Sequence, residues 1–337
     1  MGRREKVASL VDIHVQRFIR GKQGTDYNVV DFMTAHEKLE ASQKLLSYCF
    51  KNIKQWGRVE RILSRILSLI PHVPSAKRYH CLSEIMELLL KSHRLQTRDI
   101  YNVLDFSVVE SLQPLEILTL ANTLADQMNQ NDDVLREASL WGLIRLIPHM
   151  HSVNQREYAH DVFYLHRDFC LRGCVLEALT TLIFSMDQEA RAGMIFFFAD
   201  ILKENDCRDA KYFTLHLLQC VTASLPEGER VLVADVVLPL VYFSDIEIVK
   251  RAVDFFAVTI SLLPQSERGH YTQVIAGLIN DLSVKPHVVN VLERALPFLS
   301  GEDEREHFRE LLDQYHSDYF YNDRRDKDFG EVYCHDC

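Results

Sequence analysis

Apolar positions recur along this chain at helical spacing, and the runs they form stop in the same way. An amphipathic stretch ends in Ile-Pro or Leu-Pro, a short polar turn carrying an Arg follows, and a second apolar stretch begins. Ile70-Pro71, Ile147-Pro148, Leu225-Pro226 and Leu263-Pro264 are four copies of this hinge. Proline stops each run because it lacks an N–H and its ring clashes with the preceding turn. No strictly alternating run of useful length appears, and 12 Gly and 9 Pro leave little room for β-turns. The pattern therefore predicts helix over nearly the whole chain.

The second stretches can be laid on one another. Asp132-Asp133-Val134-Leu135-Arg136-Glu137-Ala138 leads into Leu140, Leu143, Ile144 and Leu146; Asp245 to Val253 leads into Phe255, Phe256, Val258 and Ile260. Weaker copies start near Arg61, Arg98, Arg172, Lys211 and Asn290. Taking 61, 98, 136, 172, 211, 251 and 290 as phase, the intervals are 37, 38, 36, 39, 40 and 39. A period near 40 with two helices per unit is the mark of a repeat array, in which no hairpin buries both apolar faces alone. Asp at the helix start accepts from free backbone N–H groups and suits the positive helix end. The turn arginines (Arg78, Arg156, Arg191, Arg230, Arg268, Arg305) are expected on a ridge, paired with neighbouring acids.

The Asp-x-x-Val-(Leu)-Arg-x-x-Ala phrase at 132–138 and 245–252 resembles the start of the second helix of a HEAT repeat, and roughly residues 30–315 resemble the HEAT/armadillo-like class. The resemblance implies an all-α, right-handed α-α superhelix of about seven helical hairpins. Its second helices would line a concave face used mostly to bind proteins. On this reading residues 1–30 are an N-terminal amphipathic capping helix and loop, 31–316 the solenoid, and 317–337 a polar, aromatic tail, either disordered or an extended strap. The first helix, Glu5 to Ile19, would cap the first repeat rather than lie on a membrane. Met1-Gly2 fails as an acylation site because position 6 is Lys6, and no signal-like apolar core follows.

Charge narrows the partners. The formal net charge is −10, which argues against wholesale nucleic-acid binding. Residues 1–100 carry 18 Lys/Arg and 10 Asp/Glu, whereas 101–337 carry 20 and 38. The basic end would attract acidic partners. Lys51, Lys54, Arg58, Arg61 and Arg65 are spaced 3, 4, 3, 4. On one continuous helix they fall within about 80° of each other, opposite Val59, Ile62, Leu63, Ile66 and Leu67. If Gly57 starts a new helix, the stripe shortens to Arg58, Arg61 and Arg65. Two readings stand for it: a solvated face, or a dock for an acidic or phosphorylated protein segment, with an anionic membrane surface less favoured.

Catalytic motifs are missing. There is no Gly-x-x-x-x-Gly-Lys-Ser/Thr loop and no Gly-x-Ser-x-Gly elbow. His166, Cys170 and Cys174 share a predicted helix but span about 12 Å by helix rise, too far for one ion without a second helix. Cys334 and Cys337 form a lone pair. Within the repeat class, di-iron hydroxylases repeat His-Glu pairs; this chain has one, His36-Glu37. HEAT-like DNA glycosylases use a basic groove; Trp141 and Asp133 are available here, but among acidic repeats. No cofactor or metal is expected. Cys49, Cys81, Cys174 and Cys220 read as small buried hydrophobes, which suits a reducing compartment. The expectation is a non-enzymatic cytoplasmic scaffold binding an acidic protein segment through its concave face, with Lys51, Lys54, Arg58, Arg61 and Arg65 as contacts. An enzyme or lyase on the same scaffold and a peripheral membrane protein are the alternatives.

Overall fold

Three of the helices begin where a side chain takes up free backbone N–H groups. In the computed structural model Thr34 accepts from Glu37 N, and Glu37 Oε2 accepts from Thr34 N at 2.6 Å, which fixes α1 (Ala35–Lys51) at both partners. Asp132 accepts from the amides of Val134 and Leu135 at the head of α6 (Asp133–Leu146), and Asp245 from Glu247 at the head of α12 (Ile246–Thr259). Both aspartates do what the phrase expects of them.

The structure describes residues 11–12, 14–16, 19, 33–92, 103–104, 106–130, 132–204 and 207–331, with side chains to residue 316 except at 106–107. The described residues are α-helical and 3₁₀-helical with no strand, so the chain is an all-α protein. The first-helix expectation for Glu5–Ile19 lies largely outside the described residues. The remaining helices are α2 (Trp56–Leu69), α3 (Ser75–Lys91), α4 (Phe106–Val109), α5 (Pro114–Met128), α7 (Ser152–Tyr164), α8 (Arg172–Ser185), α9 (Gln188–Lys203), α10 (Arg208–Thr222), α11 (Glu227–Val237), α13 (Gln265–Ala276), α14 (Lys285–Ala295) and α15 (Glu302–Glu331).

The hinge prolines divide into two kinds. Pro71 and Pro148 sit inside 3₁₀ turns, Ile70–His72 and Ile147–His149, and the same geometry recurs at Leu238–Tyr242 and Leu296–Phe298 with Pro239 and Pro297. Pro226 and Pro264 instead cap the starts of α11 and α13, as Pro74 does for α3. A single hinge phrase thus covers two positions. In one, a missing N–H falls at an open turn; in the other, the fixed φ sets up the next helix.

Two compact units divide the chain at residue 190. Within 1–190, α1 packs on α2 and α3, α5 on α6, and α8 on both α6 and α7. Within 191–337, α10, α12 and α14 pack side by side, with α13 against α14. Burial follows the 3.6 period: Val59, Ile62, Leu63, Ile66 and Leu69 of α2 are all buried, as are Ile248, Val249, Ala252, Val253 and Phe256 of α12. Burying each such side chain contributes about 1.5–3 kcal/mol before chain entropy is set against it.

α15 runs to Glu331, so its helical backbone continues through 317–331. Its sequence has no apolar period to announce a helix. Yet it contains no proline after Pro297, and extending an existing helix needs no new nucleus. No helix among the described residues is long and apolar enough to cross a membrane.

Candidate functional site

The basic stripe is divided by a turn. α1 ends at Lys51, residues 52–55 form the turn, and α2 starts at Trp56. Asn52 caps α1, its N–H reaching the carbonyls of Tyr48 and Cys49. The five cations therefore do not share one helix face. Lys51 and Lys54 are exposed, one in the last turn of α1 and one in the turn. Arg61 is exposed on α2, its Nε donating to the carbonyl of Gly57 at 3.2 Å. Arg58 faces inward. Its guanidinium donates through Nε (3.1 Å) and a second nitrogen to the carbonyl of Ile19, and lies 5.5 Å from the centre of the Tyr48 ring. Arg65 is half-buried. The free positive edge is thus Lys51, Lys54 and Arg61, while Arg58 ties the chain near residue 19 to α2. Beside Lys51 an open groove of about 460 Å³ runs over Leu46 and Phe50, with Gln43, Ser47 and Glu84 on its walls.

The turn arginines form a different pattern from the one expected. Arg78 donates to the carbonyls of Val73 (2.9 Å) and Pro71 (2.8 Å), five and seven residues back. Arg230 donates to Leu225, five back, at 2.7 Å, and Arg268 to Leu263, five back, at 2.9 Å. The acceptors are backbone carbonyls that the broken helix leaves open, not neighbouring acids. Arg156 does not make this bond; Gln155 does, through its amide to Met150, five back, at 2.9 Å. Three of these side chains also reach 30 to 32 residues forward. Arg230 donates to the carbonyl of Leu262, Arg268 to that of Phe298, and the carbonyl of the Gln155 amide accepts from Asp187 N. Arg191 and Arg305 do pair with acids, Glu229 and Glu302.

The phase residues carry a second lock. Arg136 Nε donates to Met128 O at 3.0 Å, and its NH1 pairs with Asp168 at 2.6 Å. That bond holds the Asp168 carboxyl below the usual carboxylate range, against a smaller upward push from burial. Lys211, almost fully buried, donates to Leu202 O and stands 4.8 Å from the Phe243 ring centre. Burial lowers its ammonium below the ordinary lysine value. The equivalence of Arg136 and Lys211, both reaching back into the end of the preceding helix, is structural rather than a shared binding surface.

The candidate chemistry does not assemble. His166 lies in a 3₁₀ turn with Nδ1 on Phe163 O at 2.6 Å, Cys170 in the following turn and Cys174 in α8, so no single helix carries them. Among the described residues no group of three or more His, Cys, Asp or Glu is placed to hold a metal. Glu37 of the His36-Glu37 pair is consumed by its cap, and Trp141 is buried. Cys49 and Cys81 are buried, their thiols pushed up to about 12 and about 11 chiefly by desolvation. Cys220, expected inside, is exposed, because it falls on the outer side of α10 between buried Leu217, Leu218 and Val221; Cys174 is half-exposed. Cys334 and Cys337 lie outside the described residues.

A polar groove missed by the sequence reading lies in residues 191–337. It measures about 290 Å³ and runs across α10, α12 and α14, with Arg251, Arg294, Asn290, Gln219 and Val258 among its lining. The signal was available: Arg208, Arg251 and Arg294 are spaced 43 and 43. Tyr212 stands between the first two, its ring centre 5.2 Å from Arg208 and 4.6 Å from Arg251.

No family model matches the sequence, and no curated protein matches it. Two crystal structures of engineered proteins from a structural genomics consortium align with it, each at 15% identity and a TM-score of 0.34. One alignment covers 92% of this chain and 94% of the other, and the second covers 71% and 98%. Likeness at that level carries no argument about fold or activity.

Proposed function

We propose that the protein is a non-enzymatic, HEAT-like α-solenoid scaffold of about seven hairpins that binds an acidic or phosphorylated segment of a protein partner. The observation behind this reading is the recurring lock. Gln155, Arg230 and Arg268 each bond five residues back and 30 to 32 residues forward, which joins each of these three turns to a later one. Such nearest-neighbour coupling is how repeat arrays gain stability, and their extended faces serve binding. Free thiols fit a reducing, cytoplasmic setting. At the basic end Lys51, Lys54 and Arg61 are the partner contacts; Arg58 and Arg65 support them from within.

The test is affinity capture of the full chain from its native cells, comparing wild type with Lys51→Glu/Lys54→Glu/Arg61→Glu. A stoichiometric protein lost only from the variant is the expected result. Equal recovery by both chains removes these residues from the contact surface, and recovery of no protein by either overturns the scaffold reading.

A further inference from the structure

We infer that the groove across α10, α12 and α14 is an anion-recognition surface for a glutamate- or aspartate-bearing segment of a protein partner. This rests on the scaffold reading for the class of occupant. Its chemistry comes from the groove itself.

Residues 191–337 carry 15 Lys/Arg against 25 Asp/Glu, so an unneutralised positive patch in this unit is not the average surface. Four arginines there have their charge answered by an acid: Arg191 by Glu229, Arg208 by Asp245, Arg305 and Arg309 by Glu302. The two in the groove are held in another way. Arg251 lies against the Tyr212 ring, and Arg294 bonds the amide oxygen of Asn290 and the carbonyl of Ala257. All three acceptors are neutral. They orient the guanidiniums without cancelling the charge, and among the described residues neither forms an ion pair. Asp254 is the acid in the lining, and its carboxylate is engaged by His287 Nδ1 at 2.7 Å.

The rest of the groove suits a chain rather than a free ion. Gln219 and Asn290 offer amides to a peptide backbone, and Val258, 42% exposed, offers an apolar rest for side-chain methylenes. Guanidinium is the group best matched to a carboxylate, through paired N–H donors. Acidic surroundings would reject a highly charged polyanion such as nucleic acid while admitting a short carboxylate segment.

The experiment is fluorescence anisotropy of a fluorescein-labelled octaglutamate peptide with the full chain, against an octaglutamine control. The chains are wild type, Arg251→Glu/Arg294→Glu, and the Lys51/Lys54/Arg61 reversal, each checked for unchanged melting. If the groove reversal melts early, Arg251→Gln/Arg294→Gln takes its place. The expected result is salt-sensitive binding of octaglutamate by wild type, weakened about tenfold or more in the groove variant. The Lys51/Lys54/Arg61 variant, which removes the separate contacts of the basic end, loses less affinity than the groove variant does. Equal binding by wild type and groove variant, equal binding of octaglutamine, or no binding by wild type overturns the proposal. Binding lost only in the Lys51/Lys54/Arg61 variant also overturns it, yet leaves the scaffold reading standing, since affinity capture decides that separately.

Discussion

Arg230 Nε meets the carbonyl of Leu225 at 2.7 Å, and another nitrogen of the same guanidinium meets the carbonyl of Leu262 at 2.9 Å. One side chain thus closes its own turn and the next. A broken helix leaves its last carbonyls without partners, and a charged donor answers them at a contribution of about 1.5–3 kcal/mol. Arg230→Met should therefore lower the unfolding free energy by about 2 kcal/mol. Lys203→Gln, at an exposed site on α9, should change it by less than about 0.5 kcal/mol. Urea denaturation of the three chains compares them directly, and equal midpoints would remove the lock from the account of stability.

Asp168 supplies a pH prediction. Its carboxyl is held below the ordinary value mainly by the bond from Arg136. A depressed carboxyl contributes stability that is present above the unfolded value, near 3.9, and is lost as pH falls through the lower folded value. Acid denaturation should therefore include a component below about pH 4 that Asp168→Asn abolishes. Arg136→Gln should abolish the same component and cost more at neutral pH, because it also leaves Met128 O without its donor. The measurement is thermal unfolding across an acid pH series; a variant curve parallel to wild type would contradict the linkage.

Thiol reactivity should separate the cysteines by burial. Cys49 and Cys81 are fully buried and hold their protons well above neutral pH, so thiolate is scarce and access blocked. Cys170 is exposed and, among the described cysteines, should be alkylated first in the native protein. Cys220 should follow, slowed because partial desolvation raises its thiol as well. Peptide mapping after brief iodoacetamide treatment reads the order. Native labelling of Cys49 at the rate of Cys170 would mean that α1 opens readily.

The helical class and the capping aspartates were legible because they are local: Asp132 and Asp245 act on amides two or three residues away. The locks were legible only in outline. Arginine recurs at the right phase, but whether a guanidinium meets an acid or a carbonyl depends on how the turn folds back. At Gln155 the role moved one residue from the arginine that marked it. The stripe takes its broken form, the one allowed for if a helix starts near Gly57, for a related reason. Spacing of 3 and 4 specifies one face only while the helix is continuous, and it ends at Lys51. The groove at Arg251 and Arg294 was legible only as a 43-residue spacing of arginines, and its walls were not, because they come from three helices about 40 residues apart. Helix 317–331 was hidden by its lack of an apolar face, although nothing in it breaks a helix.

Arg58 and Arg61 make the sharpest contrast between an inward and an outward cation of similar spacing. Arg58 gives two nitrogens to Ile19 O and its face to Tyr48, so Arg58→Gln should cost about 1–3 kcal/mol from the charged bond and the ring contact together. Arg61 spends one nitrogen on Gly57 O, four residues back on its own helix, and is exposed. Arg61→Gln should shift the melting midpoint little, because solvent replaces what it loses. The same pair should behave in reverse toward an acidic partner, with Arg61→Gln weakening capture and Arg58→Gln acting only through stability. Melting curves and capture yields on both single variants test the two halves separately. If Arg58→Gln left the melting midpoint unchanged while reducing capture, the inward placement of Arg58 would be wrong and the stripe would again be one surface.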